Sequence, residues 1–402
     1  MTVYTTTAKP YAASLEGIAF PDADIYHVAD MLEASERARF DTIRDFLQNE
    51  IRPVVGPFWD REEFPFELLP RLAEHGLGEL ELSGASRLLR GLVYAEVTRA
   101  DVSLSALVGI HNELVVDLIN QLGSEEQRNR WLPGLRKFTN TGCFALTEPT
   151  HGSDIAGGLA TTAEHTTEGW VLNGEKRWIG GGTFADFAIV FARDTADNQV
   201  KGFIVEMDRG GVDTSKIENK MGLRIMQNAD ITFTDVLIPS ENLIPGAADF
   251  SSVNIFLRNS RQWVGWQGAG VQLAIFDVAR EYTLGRTQFG RKLAKFQLVQ
   301  EKLTRILGNA TASLGMMTHI ARMQDDGLFD MPHAALAKAT TTRFARESAA
   351  AGRELLGGNG IVTEFEMSKI FNDVEILHTY EGTYDINSLI VGRAVTGVSA
   401  FV

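Results

Sequence analysis

The sequence predicts an α+β multidomain protein: an N-terminal helical domain over residues 1–140, a middle antiparallel β domain over 141–248 and a C-terminal four-helix bundle over 249–402. Three observations lead there. Apolar residues recur at helical spacing in the first region, alternate or cluster in short β-rich runs in the second, and return to helical spacing in the third. The middle runs are separated by turn-forming pairs, whereas the outer regions carry long uninterrupted periods. At 402 residues, with 44% hydrophobic residues and only 11 prolines, the chain is long enough for two or three domains with a substantial core.

Residues 1 to about 30 lack periodicity and read as an arm. Phe40, Ile43, Phe46, Leu47 and Ile51 then mark one helix face, and helical character continues through Phe66–Leu80, Leu88–Val97, Leu104–Leu122 and Glu125–Phe138. Ser124 and Gln127 have the spacing of a capping box for the last of these. In the middle, Trp170-Val171-Leu172, Phe187 to Phe191, Phe203-Ile204-Val205 and Ile231-Thr232-Phe233 read as strands. Asn173-Gly174 and Asp197-Asn198 read as hairpin turns between strands, which suggests a small barrel or sandwich. Phe256–Tyr282, Phe296–Asp325, His333–Leu356 and Ile386–Val395 supply the helices of the bundle.

Composition removes several function classes. A formal charge of −14 argues against nucleic-acid and anionic-membrane partners, since both need a positive field. The single cysteine, Cys143, excludes an intramolecular disulfide or a Cys-cluster metal site. The eight histidines show no metal-ligand spacing, so no metal is expected. No apolar run approaches a membrane span, so no membrane insertion is expected. The first 20 residues hold one Lys and no Arg, unlike a secretory or transit signal, and the C-terminus is not a peroxisomal tripeptide; the expected location is cytoplasmic. No Gly-x-Ser-x-Gly elbow occurs, and no Gly-x-Gly-x-x-Gly follows a strand.

Four stretches carry candidate chemistry. The loop Leu146-Thr147-Glu148-Pro149 to Gly152-Ser153-Asp154 offers hydroxyls and backbone N–H groups to a flat ligand; taken alone it reads better as a Pro-Gly loop closing a strand. Trp178 precedes Gly180-Gly181-Gly182, and three glycines have little β propensity, so close approach to a cofactor accounts for them; a core tryptophan is the alternative. From Arg280 to Arg305 seven basic residues face two acids, an excess that suits a phosphate-bearing ligand, against the alternative of a solvated helix face. Last, Gly357-Gly358-Asn359-Gly360 and Tyr380-Glu381-Gly382-Thr383 flank an amphipathic run. A carboxylate such as Glu381 next to Ile376, Leu377 and Tyr380 is expected to hold its proton more readily and so to work as a base near neutral pH. Taken alone, that fragment reads as two helix C-caps and an exposed loop glutamate.

Together these motifs, in this order, resemble the acyl-CoA dehydrogenase/oxidase family over roughly residues 35 to 400. Ala145-Leu146-Thr147-Glu148-Pro149 with Gly152-Ser153-Asp154, Asn173-Gly174 with Lys176 and Trp178, Lys220-Met221-Gly222, Arg286-Thr287-Gln288-Phe289-Gly290, Gly357 to Gly360 and Tyr380 to Thr383 carry the resemblance. The glutaryl-CoA dehydrogenase branch and the plant short-chain acyl-CoA oxidases are the nearest in pattern. The resemblance implies FAD, with Phe144, Leu146, Thr147, Ser153, Trp178 and Ile179 around the flavin ring. It places Arg286, Gln288, Phe289, Gly357 and Gly358 at the adenosine-pyrophosphate end, reached from a neighbouring subunit of a homotetramer. Thr383 and Asp385 again touch FAD, while Ser153, Arg261, Tyr380, Gly382 and Ser105 fall to the substrate side.

The implied reaction is α,β-dehydrogenation of an acyl-CoA to the trans-2-enoyl-CoA. Glu381 would take the α-proton while the β-hydrogen leaves as hydride to the flavin, with electrons passing to an electron-transfer flavoprotein, or to O2 in an oxidase. A non-catalytic flavoprotein of the same fold is the rival reading. Some relatives place the base on an earlier helix, where this chain has Ser260, which leaves Glu381 as sole base. Where glutaryl-CoA dehydrogenases carry an arginine for the distal carboxylate, this chain has Ser105, so glutaryl-CoA is expected to be a poor substrate. The threonine found two residues after Trp178 in most dehydrogenases is Gly180 here, as in the plant oxidases, and residues 76 to 92 are about five residues shorter than in relatives.

Overall fold

The structure, a computed structural model, describes residues 22–401, so most of the arm expected over 1–30 lies outside the described residues. The N-terminal region is helical: α1 (Ala34–Phe46), α2 (Arg52–Arg61), α3 (Leu69–Glu74), α4 (Arg87–Ala100), α5 (Val102–Gly109), α6 (Asp117–Leu122) and α7 (Glu125–Leu135). Phe40, Ile43 and Phe46 turn the same face of α1 inward, as their spacing requires. Asp101 caps α5 by accepting from Leu104 N at 2.7 Å, and the Ser124–Gln127 capping box opens α7. A π-turn over Ile110–Val116 joins α5 to α6. The combined helix Val102–Leu122 is long and apolar enough to cross a membrane, contrary to the sequence expectation, but 94% of its apolar window is buried within the protein.

Seven strands follow: β1 (Gly142–Ala145), β2 (Thr162–Thr166), β3 (Gly169–Gly180), β4 (Phe187–Asp194), β5 (Val200–Glu206), β6 (Val212–Lys216) and β7 (Asn228–Ile238), with the short α8 (Ile155–Gly158) before β2. They join in the order β1-β4-β2-β3-β7-β6, with β5 paired to β4. Most pairings are antiparallel; β1 and β2 run parallel to β4. Cys143, Val190, Phe203, Ile231 and Phe233 are among the side chains that fill the interior of the folded sheet.

One expected hairpin is found and the other is not. Asp197-Asn198 lies in the turn between β4 and β5, where Asn198 takes φ 61°. Asn173-Gly174 instead sits inside β3, at a register shift against β7 between Leu172 and Gly174. The Asn173 amide clamps the opposite strand, donating to Asp235 Oδ1 at 3.0 Å and accepting from Asp235 N at 2.8 Å. A bulge and a hairpin thus draw on the same residue types, and only the cross-strand partner separates them.

The C-terminal region holds α9 (Phe250–Gly285), a small β8–β9 hairpin (Thr287–Gln288 with Arg291–Lys292), α10 (Gln297–Asp325), α11 (Met331–Leu356), α12 (Met367–Thr379) and α13 (Tyr384–Thr396). The fourth helix packed on α9 is α12, which is not among the helices expected from the sequence; the expected Ile386–Val395 helix is α13, which lies on α11. α9 is the common neighbour of α4, α10, α11 and α12. Its Trp263 and Trp266 are fully buried against Gly109 and Gly91, where an added Cβ would come within 1.8 Å and 2.0 Å of the indoles. Those glycines are dictated by close helix–helix approach.

A buried ion cluster ties the three regions together. Lys369 of α12 lies 2.6 Å from Asp101 and 2.9 Å from Asp373. Asp373 also accepts from Trp59 Nε1 at 2.8 Å and from Leu223 N, in the loop before β7, at 2.6 Å. Burial works against the Lys369 charge, but Asp101 and Asp373 outweigh it and raise its pKa. Lys369→Met leaves two buried carboxylates without a cation, and should lower stability by about 3–5 kcal/mol at neutral pH. Without Lys369 the native carboxylates hold protons more tightly than unfolded ones, so the loss should shrink as pH falls and they become neutral. Urea unfolding of both proteins at pH 7 and pH 5 measures both effects.

Candidate active site

Glu381 sits on the tight turn between α12 and α13, where Glu381 and Gly382 both have positive φ, 54° and 79°. A left-handed conformation is unfavourable for a residue with a Cβ and persists only when its surroundings impose it. Here they do. The Gly382 carbonyl accepts from Lys338 Nζ at 2.7 Å and from Asn387 Nδ2 at 2.8 Å, and Lys338 also reaches the His378 carbonyl at 2.9 Å. Arg261 Nε donates to Asn387 Oδ1 at 3.0 Å, and its guanidinium lies so near Gly382 that a Cβ there would be 3.1 Å from Nη2. Thr383 closes the turn by accepting from Ile386 N at 3.2 Å as the cap of α13, with the exposed Asp385 in the first turn of that helix.

The Glu381 carboxylate points at α9, accepting from Ser260 Oγ at 2.6 Å. Its surroundings are therefore more polar than Ile376, Leu377 and Tyr380 suggested, because Ser260, Arg261 and Lys338 come from helices distant in sequence. Burial lowers the Arg261 pKa, with Glu381 opposing. Burial likewise brings Lys338 down to about 7, with Glu381 opposing and Arg261 reinforcing.

Beside the base a one-way hydrogen-bond relay runs inward. The Tyr380 hydroxyl donates to Gln267 Oε1, and Gln267 Nε2 donates to Ser105 Oγ at 2.9 Å. Thr98 gives its proton to the Tyr94 carbonyl, so the 2.6 Å contact between Ser105 and Thr98 has Ser105 as donor. Burial, aided by Glu381, holds the Tyr380 pKa well above the usual phenol range, so it stays a donor. Ser105 is fully buried with its hydroxyl engaged on both sides. It belongs to the wall behind Tyr380, which corrects its expected place on the substrate surface. Trp263 packs edge-on against Tyr380 with ring centroids 6.3 Å apart.

In the middle domain Ser153 and Trp178 are exposed and Thr147 is half-buried. Lys176 is fully buried and donates to Leu146 O at 3.1 Å and Glu148 Oε1 at 2.8 Å, while Glu148 accepts from Ala160 N and Thr161 N. Burial takes Lys176 down to about 8 against the pull of Glu148. Arg177 N donates to Thr147 O at 2.8 Å, which lays this loop along β3. Trp178 sits at a bulge with φ 67°, its carbonyl held by Asn228 Nδ2 at 3.1 Å and its indole 52% exposed beside Arg177. An exposed indole beside the main chain of the Thr147 loop fits a flat, partly apolar ring such as a flavin. Phe144 is half-buried against Phe191, and the Leu146 and Ile179 side chains are in the core, so these last two have only main chain to offer a ligand.

Gly180 to Gly182 are buried, and an added Cβ at Gly180 would be 2.5 Å from Met226 and 2.7 Å from Ile110. Neighbouring side chains therefore press on these glycines, which the sequence had assigned wholly to a cofactor. At the opposite end, Arg286, Gln288 and Phe289 are exposed on the β8–β9 hairpin, Phe289 at 92%. Gly357 and Gly358 open a turn whose Asn359 donates to Tyr282 of α9 at 3.0 Å, which brings both stretches to one end of the bundle. Part of the basic excess is used internally, Lys302 on Glu354 and Arg305 on Glu301, while Arg286, Arg291 and Lys295 remain exposed. Lys338, Gln267 and Asn387 lie in no motif that the sequence singles out. The signal for Lys338 was a lone lysine on the alanine-rich face Ala334, Ala335, Ala337, Ala345.

The chain thus combines a helical–β–helical frame, a carboxylate on a strained turn and an exposed indole edge. The acyl-CoA dehydrogenase N-terminal, middle and C-terminal domain models match residues 33–138, 143–236 and 250–396. The chain belongs to the acyl-CoA dehydrogenase family, and with that come acyl-CoA dehydrogenase activity and FAD. It is 33% identical over 380 residues to the mitochondrial short-chain specific acyl-CoA dehydrogenase of Mus musculus, covering 91% of each chain. Among solved structures, glutaryl-CoA dehydrogenase from Mycobacterium smegmatis superposes with a TM-score of 0.91 at 33% identity, over 95% of this chain and 100% of that one. Butyryl-CoA dehydrogenase from Megasphaera elsdenii gives 0.85 at 28% identity, over 90% and 98%.

Proposed function

We propose that this chain dehydrogenates short-chain acyl-CoA thioesters, not glutaryl-CoA, with Glu381 as the general base and an electron-transfer flavoprotein as acceptor. The observation that carries the reading is the Glu381 carboxylate, displayed by a strained turn against Ser260 with Arg261 and Lys338 behind it. Removing a weakly acidic α-proton needs a base in place and a donor for the charge that develops on the thioester oxygen. Glu381 takes the proton, and its own backbone N–H serves as that donor. FAD, when bound, supplies the hydride acceptor. Thr147, Ser153 and Trp178 would hold the flavin ring, and Arg286, Gln288, Phe289, Gly357 and Gly358 of a neighbouring subunit would hold the far end of the cofactor. Glu381→Gln keeps the shape and removes the base; it should retain FAD yet lose bleaching of the flavin absorbance by butyryl-CoA, and normal bleaching would sink the assignment.

The short-chain preference is supported by the filled wall beside the base: Trp263 is fully buried, Tyr380 lies over it, and Gln267 and Ser105 bond to one another. With Ser105 enclosed in that wall, this position presents no cation to a distal carboxylate, and a carboxylate left unpaired beside it is costly. Turnover of butyryl-CoA should exceed that of glutaryl-CoA at least about tenfold, a difference of roughly 1.4 kcal/mol in transition-state binding. Trp263→Ala should shift the preference toward longer acyl chains, read as kcat/KM across a chain-length series.

The acceptor reading is supported by Gly180. The space its missing side chain leaves is taken by Met226 and Ile110. Steady-state turnover should reduce an electron-transfer flavoprotein with little peroxide; stoichiometric peroxide in air would make the chain an oxidase instead.

A further inference from the structure

Lys338 is buried beside the proposed base, and the chemistry above does not use it. It lies on the inward face of α11 and is fully inaccessible. The other two buried lysine sites described above are built on ion pairs, Lys369 with Asp101 and Asp373, and Lys176 with Glu148. Lys338 is built differently. Its ammonium donates to two main-chain carbonyls, His378 O at 2.9 Å and Gly382 O at 2.7 Å. One belongs to the last turn of α12, three residues before Glu381, and the other to the residue directly after it. Lys338 therefore bridges the two strands of chain that enter and leave the base.

We propose that Lys338 is a positioning residue: by tying the His378 and Gly382 carbonyls together it holds Glu381 in the left-handed conformation that aims its carboxylate at Ser260. This rests on the reading of Glu381 as the base. Two conformational facts support it. Glu381 and Gly382 take consecutive positive φ values, 54° and 79°, a pairing that a residue with a Cβ adopts only under constraint. The constraint on the exit side is doubled, since Asn387 also donates to Gly382 O at 2.8 Å, but the entry side at His378 O is held by Lys338. The groups facing Lys338 are Glu381 from the turn, Arg261 from α9 and His378 from α12, with Thr342 of its own helix contacting the His378 ring. Of these only Glu381 favours the ammonium, and burial with Arg261 brings its pKa to about 7. The clamp and the base thus share one electrostatic environment.

The test compares Lys338→Met, which keeps the length of the side chain without donors, and Lys338→Gln, which keeps an amide donor without charge, both as full-length FAD-loaded protein. Flavin content, KM for butyryl-CoA and the single-turnover rate of flavin bleaching are measured for each. Loosening of a catalytic group by about 1 Å costs on the order of 100-fold in rate, so the Met variant should bleach about 100-fold slower with KM changed less than about threefold. The Gln variant should fall between Met and wild type. A Met variant that bleaches at the wild-type rate per bound flavin overturns the proposal, and so does a loss confined to KM or one that follows flavin content alone. Should the Met variant not fold, the Gln variant decides on the same readings: slower bleaching at constant KM supports the clamp, and a wild-type rate overturns it. If Glu381→Gln bleaches normally, the reading of the base has failed. If Glu381→Gln is inert while Lys338→Met is normal, only the clamp has failed.

Discussion

The ion cluster of Lys369 with Asp101 and Asp373 is the constraint on which the rest of the arrangement depends. It places one cation between two carboxylates, with both carboxylates enclosed and the lysine all but buried. Taking such charges out of water is expensive, and an apolar replacement of the same volume would serve stability as well. What the cluster supplies is specificity of docking. Asp101 ends α4 and caps α5, Trp59 lies in the last turn of α2, Leu223 comes from the loop before β7, and Lys369 and Asp373 lie one turn apart on α12. Each is satisfied only in one relative placement of the three regions.

The site inherits that placement. From Asp373 the helix runs on directly to Tyr380 and Glu381, so the position of the base along the α9 face is set by where α12 is anchored. At its far end Lys338, Asn387 and Arg261 take over, gripping the carbonyls around the strained turn. A second buried pair, Lys176 with Glu148, does for the middle domain what Lys369 does for the interface, holding the loop that carries Thr147 against the strand that carries Trp178. The polar groups expected to meet the cofactor are by contrast left exposed, on Trp178, Ser153 and the β8–β9 hairpin. Rigidity is concentrated behind the site and access in front of it.

The order of helical, β and helical regions was legible because each rests on a local period, and the glycine-bearing motifs were legible because their composition is unusual. Where the reading slipped, the deciding contact was remote in sequence. Asn173-Gly174 became a bulge because Asp235 sits opposite. The helix Met367–Thr379 was overlooked because two of its inward residues, Lys369 and Asp373, look polar until Asp101 and Trp59 are seen beside them. Gly180 is small because Met226 and Ile110 press on it, and Ser105 lies inside the wall because Gln267 and Thr98 hold it there.

By itself the sequence determined the fold class, the family, the flavin and the carboxylate proposed as base, since periodicity and short motifs survive without knowledge of what lies across the chain. The tertiary structure alone decided what surrounds that carboxylate. Ser260 lies 121 residues away from Glu381 and Lys338 lies 44 residues from Gly382, and both are ordinary residue types in ordinary helices. The environment of a charge depends on every dipole and ion within a few ångströms, and those neighbours are chosen by helix packing rather than by any local pattern. Glu381 could be picked out from its motif; the polar pocket that holds it could not.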